Sequence, residues 1–190
     1  MRTHTMRYLL ALTMLAGTGL VGAAVVLPAQ GASEIKQGAA IAPVPLKMQG
    51  LNPALVREGS FIVNAQGGCN DCHTVPSYAL GGNPFFGEPE QINVPCYLAG
   101  GADFGPFRSR NLTPRDGLPA GRTLAEFKDI MRNGTDYRST PDGTPLLQVM
   151  PWPVYGKMSD KQLEAIYEFL RAIPPINSRP SFCTAPAPPA

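Results

Sequence analysis

Charge is scarce in this sequence. Only 16% of its 190 residues are Asp, Glu, Lys or Arg, with sixteen basic side chains against fourteen acidic ones. Two of the basic residues, Arg2 and Arg7, lie in the first 31 positions, which hold no acid. The remainder is formally neutral, so the cationic surface that phosphate neutralisation requires is missing and nucleic acid is not an expected partner. Histidine is nearly absent, with His4 and His73 its two instances. No internal repeat is visible. The length suits one ordinary domain with an export signal and a tail.

Glycine and proline, by contrast, are abundant, at 20 and 21 residues. This balance predicts a small helical core wrapped in irregular loops. The N-terminus reads as an export signal. Arg2 and Arg7 form a basic start, Tyr8 to Leu27 is an uncharged apolar run, and Ala29-Gln30-Gly31 and Gln30-Gly31-Ala32 offer small residues for cleavage. The run also reaches the length of a membrane span. Residues 1–31 are therefore expected as a cleaved signal or a retained membrane anchor, which places the chain in the periplasm or otherwise outside the cytoplasm.

Residues 32–51 are small, proline-punctuated and without periodicity, and are expected as a flexible lead-in. The first helix follows, capped by Asn52 with Pro53 in its first turn, and with Leu55, Gly59, Ile62 and Val63 near one face. Gly67-Gly68 stops it. Residues 74–122 form a long irregular insert with extended candidates near 91–97 and 104–109. A loop of that length within a compact domain is expected to be functional or to cover something. Thr123 and Glu126 have capping-box spacing and announce a second helix burying Leu124, Phe127, Ile130 and Met131. Ser159 and Gln162 announce a third, with Leu163, Ile166, Tyr167 and Leu170 on its apolar face. Pro174-Pro175 ends it. Residues 180–190 are a Pro/Ala-rich tail.

The chemistry is carried by Cys69-Asn70-Asp71-Cys72-His73. Two thiols separated by two residues reach the vinyl groups on adjacent pyrroles of a haem and form thioethers, and the histidine that follows lies under the iron. One covalent haem c on Cys69 and Cys72, with His73 as axial iron ligand, is the expectation. A redox dithiol would need a βαβ context that the sequence lacks. A zinc site completed by Cys96 and Cys183 is the other alternative. Neither explains the histidine. With no second histidine outside the N-terminal segment, methionine is the candidate sixth ligand. Met48 precedes the motif, Met131 sits on the inner face of the second helix, and Met158 is placed to staple onto Leu163. Met150 is held by Pro151-Trp152-Pro153, and is favoured because proline stiffens the backbone there. Its alternative role is a core methionine.

Residues 52–73 and 123–175 resemble the helices and haem motif of class I c-type cytochromes. The segments Gly67-Gly68-Cys69-Asn70-Asp71-Cys72-His73-Thr74, Asn111-Leu112-Thr113-Pro114 and Met150-Pro151-Trp152-Pro153 resemble in particular bacterial exported cytochromes associated with periplasmic dehydrogenases. The resemblance implies a mainly α, class I cytochrome c-like domain over 52–179 around one covalent haem. The long irregular or β-hairpin insert lies outside it, as does the cysteine-bearing tail. It implies that the methionine before the last helix, Met150, is the sixth ligand. It also implies that the first and last helices cross, with Gly59 or Val63 against Tyr167 and Leu170.

Trp152, Tyr155 and Phe107 are candidates to pack on the porphyrin, or ordinary core residues. One of Arg108, Arg110, Arg115 and Arg122 could pair with a haem propionate, although a solvated surface is the simpler reading of each. Asn111 and Thr113 are expected to shape a turn. The expected function is single-electron transfer by a non-enzymatic carrier between redox partners such as a dehydrogenase or a terminal oxidase. A cytochrome subunit of a dehydrogenase complex is the alternative. A peroxidase or ligand sensor is disfavoured because no distal histidine exists.

Cys96 and Cys183 are left over, and an exported chain permits a disulfide between them, with two buried free thiols the alternative. The bridge would hold the insert over the haem edge and, through the unfolded state, contribute at most about 4 kcal/mol. Mass spectrometry of protease-digested, non-reduced protein is expected to yield a linked peptide pair containing Cys96 and Cys183. Alkylation of both without reduction would rule the bridge out.

Overall fold

A computed structural model describes residues 29–138 and 143–184 of the chain. The apolar run at 8–27 and the end of the tail lie outside the described residues. Among those that are described, no helix is long and apolar enough to cross a membrane.

The architecture is mainly helical. Among the described residues six α-helices occur in order: α1 (Ala29–Ile41), α2 (Pro53–Phe61), α3 (Cys69–His73), α4 (Leu124–Asn133), α5 (Trp152–Tyr155) and α6 (Asp160–Ala172). Local chemistry sets most of their ends. Asn52 Oδ1 accepts from the backbone N–H of Ala54 at 3.0 Å. Thr123 and Glu126 satisfy each other's backbone N–H groups, as do Ser159 and Gln162, so both capping boxes are formed. The N–H of Gly67 donates to the carbonyl of Ile62 at 2.6 Å, closing a wider π turn over Ile62–Gln66 at the end of α2. Gly68, at φ 57°, then turns the chain into α3.

α2 and α6 cross as the central pair of the core. Val56, Ile62 and Val63 on one side meet Leu163, Ile166, Phe169 and Leu170 on the other, all buried. The crossing point is Gly59, where a Cβ would strike the Ala165 carbonyl oxygen and lie 2.8 Å from Phe169 Cβ. The contact sits a residue or two from the expected Tyr167 and Leu170, because close backbone approach favours the small Ala165.

Three expectations need correction. Residues 32–51 are not a flexible lead-in: α1 occupies their first half and packs on α2, while the Lys47 N–H donates to the Ala172 carbonyl at 2.8 Å. The signal was missed because α1 docks through a small residue rather than an apolar stripe. A Cβ on Gly38 would collide with the Arg57 carbonyl. Residues 91–97 are extended only at their start, where Ile92 forms an antiparallel bridge with Tyr78. They contain a 3₁₀ turn at Val94–Cys96, in which Pro95 has no N–H to offer a ladder. Finally, the insert carries a second hairpin beside the one near 104–109. Pro114–Arg115 (β3) pairs with Leu118–Pro119 (β4), just as Asp103–Phe104 (β1) pairs with Phe107–Arg108 (β2). Asp116 and Gly117, at φ 53° and 77°, form the connecting turn, and Asp-Gly is the sequence signal that could have announced it.

Cys96 and Cys183 are joined by a disulfide with Cα atoms 5.6 Å apart, and both are fully buried. The bridge ties the middle of the insert to the segment following α6.

Gly59→Ala is expected to overpack the α2–α6 crossing and destabilise the protein by about 1–3 kcal/mol. Thermal unfolding checks it: the midpoint falls by several degrees, whereas an unchanged midpoint would mean the helices do not meet at this residue.

Candidate functional site

Where α3 leaves the α2–α6 pair, the helices and the second half of the insert enclose a cavity of about 350 Å³. That volume lies within the range of small-molecule and cofactor sites. Cys69, Cys72 and His73 line it from α3, Ile166 and Leu170 from α6, Ile130 and Met131 from α4, and Met150, Tyr155 and Met158 from the loop and turn before α6.

The sequence around the motif explains the geometry. Gly67 has no side chain, and a Cβ there would sit 3.2 Å from Cys69 Sγ. The His73 Nδ1–H donates to the Arg110 carbonyl at 2.7 Å. A carbonyl can only accept, so Nδ1 carries the proton and Nε2 keeps its lone pair. This is the arrangement by which a backbone carbonyl orients a metal-binding imidazole. Burial lowers the His73 pKa, which favours the neutral, ligating form. The insert also holds α3 from behind. The Gly100 N–H donates to the His73 carbonyl at 2.7 Å, and the Leu98 N–H to Thr74 Oγ1 at 2.9 Å. Tyr97 donates from its hydroxyl to Asn64 Oδ1 at 2.5 Å, pinning the π turn.

The thiols argue against redox exchange. Burial, followed by the neighbouring Cys72, pushes the Cys69 thiol up to about 12, and burial also raises Cys72. A thiol–disulfide catalyst needs the opposite shift. A four-thiolate zinc site is ruled out because Cys96 and Cys183 are bonded to each other. No group of three or more His, Cys, Asp or Glu among the described residues could hold a metal ion. A haem iron needs only one or two protein ligands. A neutral imidazole, two thiols two residues apart and a thioether on one apolar cavity fit that requirement.

Three of the four candidate methionines line the cavity, Met131, Met150 and Met158, and Met48 does not. Met131 is buried in the core, and Met150 is half-buried. Met150 sits in a constrained stretch of backbone. Its N–H donates to the Gln148 carbonyl at 2.9 Å and its carbonyl accepts from the Trp152 N–H at 2.8 Å. Val149 before it is held at φ 73°, a costly conformation for a β-branched residue and one that clusters at ligand clamps.

Of the aromatic candidates, Phe107 and Tyr155 line the cavity and Trp152 does not. Trp152 lies instead over Gly134, where a Cβ would strike its ring, and donates from Nε1 to the Leu147 carbonyl at 3.3 Å. Tyr155 fastens the methionine loop to the motif by donating from its hydroxyl to the Gly67 carbonyl at 2.7 Å. Asn111 and Thr113 do shape a turn: Asn111 Oδ1 accepts from the Thr113 N–H at 2.8 Å. Cys96 and Cys183 do not line the cavity, so the bridge does not hold the insert over it. The insert's wall is made by residues 104–122, beyond the bridged turn.

Four arginines line the cavity, Arg108, Arg110, Arg122 and Arg138, with Asp136 the one acid among the lining residues. Arg110 pairs with Asp136 at 2.5 Å, Arg108 with Asp103 at 2.6 Å, and Arg122 with Glu126 at 3.5 Å. Arg115, the remaining sequence candidate, points to the Ala120 carbonyl at 3.4 Å and stands outside the cavity wall. Sequence reasoning missed Arg110 as the source of the His73 acceptor, since a backbone carbonyl carries no residue-type signal.

No family model matches the chain, and no solved structure matches it. Among curated proteins it is similar to the cytochrome c subunit of a quinone alcohol dehydrogenase from Gluconacetobacter polyoxogenes, at 31% identity over 73% of this chain and 25% of the relative. The cytochrome c subunit of gluconate 2-dehydrogenase from Pantoea cypripedii is 30% identical over 66% of this chain and 25% of the relative. The quinone alcohol dehydrogenase cytochrome c subunit of Gluconobacter oxydans (strain 621H) is 31% identical over 72% of this chain and 27% of the relative. The chain thus spans about a quarter of the length of these relatives. The likeness supports a cytochrome c family for it.

The three lining methionines can be separated experimentally. In haem-loaded, oxidised protein, Met150→Ala is expected to abolish the weak near-infrared band of methionine–iron ligation and to open the reduced iron to carbon monoxide. Met158→Ala should leave both properties unchanged, and the reverse pattern would assign the ligand to Met158.

Proposed function

We propose that this chain is an exported monohaem c-type cytochrome that passes single electrons, and that a dehydrogenase is among its redox partners. The observation that carries the reading is His73. Its Nδ1–H is tied to the Arg110 carbonyl, its Nε2 is left as the ligating nitrogen, and it shares one apolar cavity with Cys69, Cys72 and Met150.

In this reading Cys69 and Cys72 would hold a haem through two thioethers, and His73 and Met150 would ligate its iron. Haem, when bound, supplies a one-electron iron couple whose potential is raised by methionine relative to a second histidine. The chain's own residues do the rest. Ile62, Val63, Ile166 and Leu170 give the cavity apolar walls that exclude water, which is how a protein tunes such a couple. With the iron held by two protein side chains, substrate would have no open site. The lining carboxylate, Asp136, is engaged by Arg110 rather than free for acid–base work. The role is therefore electron transfer rather than catalysis.

The relatives named as cytochrome c subunits of dehydrogenases favour a place beside a dehydrogenase over that of a free carrier. Export is supported by the basic start, the uncharged run at 8–27 and the small residues after it.

Expressed in a host with working cytochrome maturation, the protein is expected to give a haem-stained band on a denaturing gel and to keep its colour through acid–acetone extraction. Colourless protein would overturn the reading. Copurification with a dehydrogenase subunit from native membranes distinguishes a complex subunit from a free carrier.

A further inference from the structure

No residue of 74–103 lines the cavity. Within that stretch the chain builds a lobe of its own. The Asn93 N–H donates to the Ser77 carbonyl at 3.1 Å, the Ala79 N–H to the Gln91 carbonyl at 2.8 Å, and the Gln91 N–H to the Gly82 carbonyl at 2.9 Å. At the tip, Glu88 Oε2 accepts from the Asn83 N–H at 2.7 Å, and Asn83 Oδ1 accepts from the Phe85 N–H at 3.0 Å. These bonds fix the backbone, yet the large apolar side chains of the tip face solvent. Leu80 is fully exposed, and Phe85 and Phe86 are 79% and 81% exposed. A single exposed apolar side chain needs no explanation. A leucine and two phenylalanines held outward on one hydrogen-bonded lobe mark an interaction surface.

The charge around the lobe is of one sign. No Lys or Arg occurs between Arg57 and Arg108, whereas Glu58, Asp71, Glu88, Glu90 and Asp103 all fall in that stretch. Among the described residues, none of Asp71, Glu88 and Glu90 has a Lys or Arg within ion-pair distance. Tyr78 joins the apolar tip to these acids. Its ring meets that of Phe85 edge-on, with centroids 6.2 Å apart, and its hydroxyl donates to Asp71 Oδ1 at 3.3 Å. Burial raises the Tyr78 pKa, and the charges of Asp71 and Glu90 raise it further, which sets both carboxylates beside it. Asp71 belongs to α3 and directly precedes Cys72, which is exposed and lines the cavity. The lobe therefore adjoins the cavity edge through α3.

We propose, resting on the haem reading above, that this lobe docks a redox protein whose own apolar contact face is bordered by lysines and arginines. Leu80, Phe85 and Phe86 supply the apolar centre that loses water on contact, and Asp71, Glu88 and Glu90 supply the charge that steers and orients a basic partner. A lipid surface is a poor match, because basic residues are what an anionic leaflet attracts and the lobe has none. A protein seated here lies alongside α3, next to the Cys72 position at which a haem would be attached.

The test uses the full, haem-loaded protein, with mitochondrial cytochrome c as the probe, a basic protein whose apolar haem edge is ringed by lysines. Stopped-flow mixing gives the second-order rate of electron exchange between the two, and oxidation by ferricyanide, too small to need a docking patch, is the control. The wild-type rate with the basic cytochrome should fall about tenfold from low to physiological ionic strength, as steered association does. The double variant Phe85→Ser/Phe86→Ser should lower it about tenfold at every ionic strength, because the apolar contact is lost. Glu90→Lys should lower it about threefold at low salt and flatten the salt dependence. Neither variant should slow the ferricyanide reaction. Wild-type exchange rates in both variants would overturn the docking surface, as would equal slowing with ferricyanide, which would place the effect at the haem. Unchanged exchange together with phenylalanine-dependent flotation on phosphatidylglycerol vesicles would assign the patch to lipid and overturn the proposal. Unchanged exchange with a phenylalanine-dependent dimer in sedimentation would do the same in favour of a second copy. Should the double variant fail to mature, Glu90→Lys, a change at an exposed side chain, decides alone. Colourless wild-type protein would sink the haem reading itself, a failure distinct from variant-independent exchange in coloured protein.

Discussion

Gly59 on α2 lies against the backbone of Ala165 on α6, and the remaining geometry is referred to that contact. Two helices whose backbones approach this closely have little freedom to slide or rotate, because any side chain at the crossing would separate them. α2 runs directly through its π turn into Cys69 and His73, so fixing α2 fixes the motif. α6 carries Ile166 and Leu170 to the cavity floor. The cavity is thus the space left beside a rigid crossing rather than a cleft between mobile parts.

The insert completes what the crossing begins. Its first half packs behind α3, placing Tyr97 and Leu98 in the core and giving His73 and Thr74 their backbone partners. The disulfide secures this half to the segment after α6. The second half turns to the front, where the Arg110 carbonyl sets the imidazole tautomer and Phe107 and Leu112 extend the apolar wall. A segment rich in glycine and proline can make both turns because its left-handed positions, such as Gly100 at φ 69°, put the backbone close to its neighbours.

Polarity is arranged around this apolar interior rather than within it. At the rim Arg122 pairs with Glu126 of α4, Arg110 with Asp136 beyond the end of α4, and Arg108 with Asp103 across the first hairpin, and Tyr155 and Tyr167 each send a hydroxyl to a distant backbone carbonyl. Arg110 joins the two systems, since its carbonyl orients His73 while its guanidinium holds Asp136.

The Cys69–His73 spacing, both capping boxes, the Asn52 cap and the apolar face of α6 were legible in the sequence because each depends on residues within a turn or two of one another. The order of α2, α4 and α6 follows from the same short-range signals. Other features depended on contacts between segments far apart in the chain. α1 docks through Gly38, which leaves no apolar stripe to read, and Trp152 turns onto Gly134 while Tyr155 faces the cavity. The Arg110 carbonyl that orients His73 is 37 residues away and is a backbone group common to every residue type. Sequence alone determined which side chains can do the chemistry, since spacing along a helix is local. Only the tertiary structure decided how they are oriented and which charges face them, since those depend on long-range packing that no periodicity encodes.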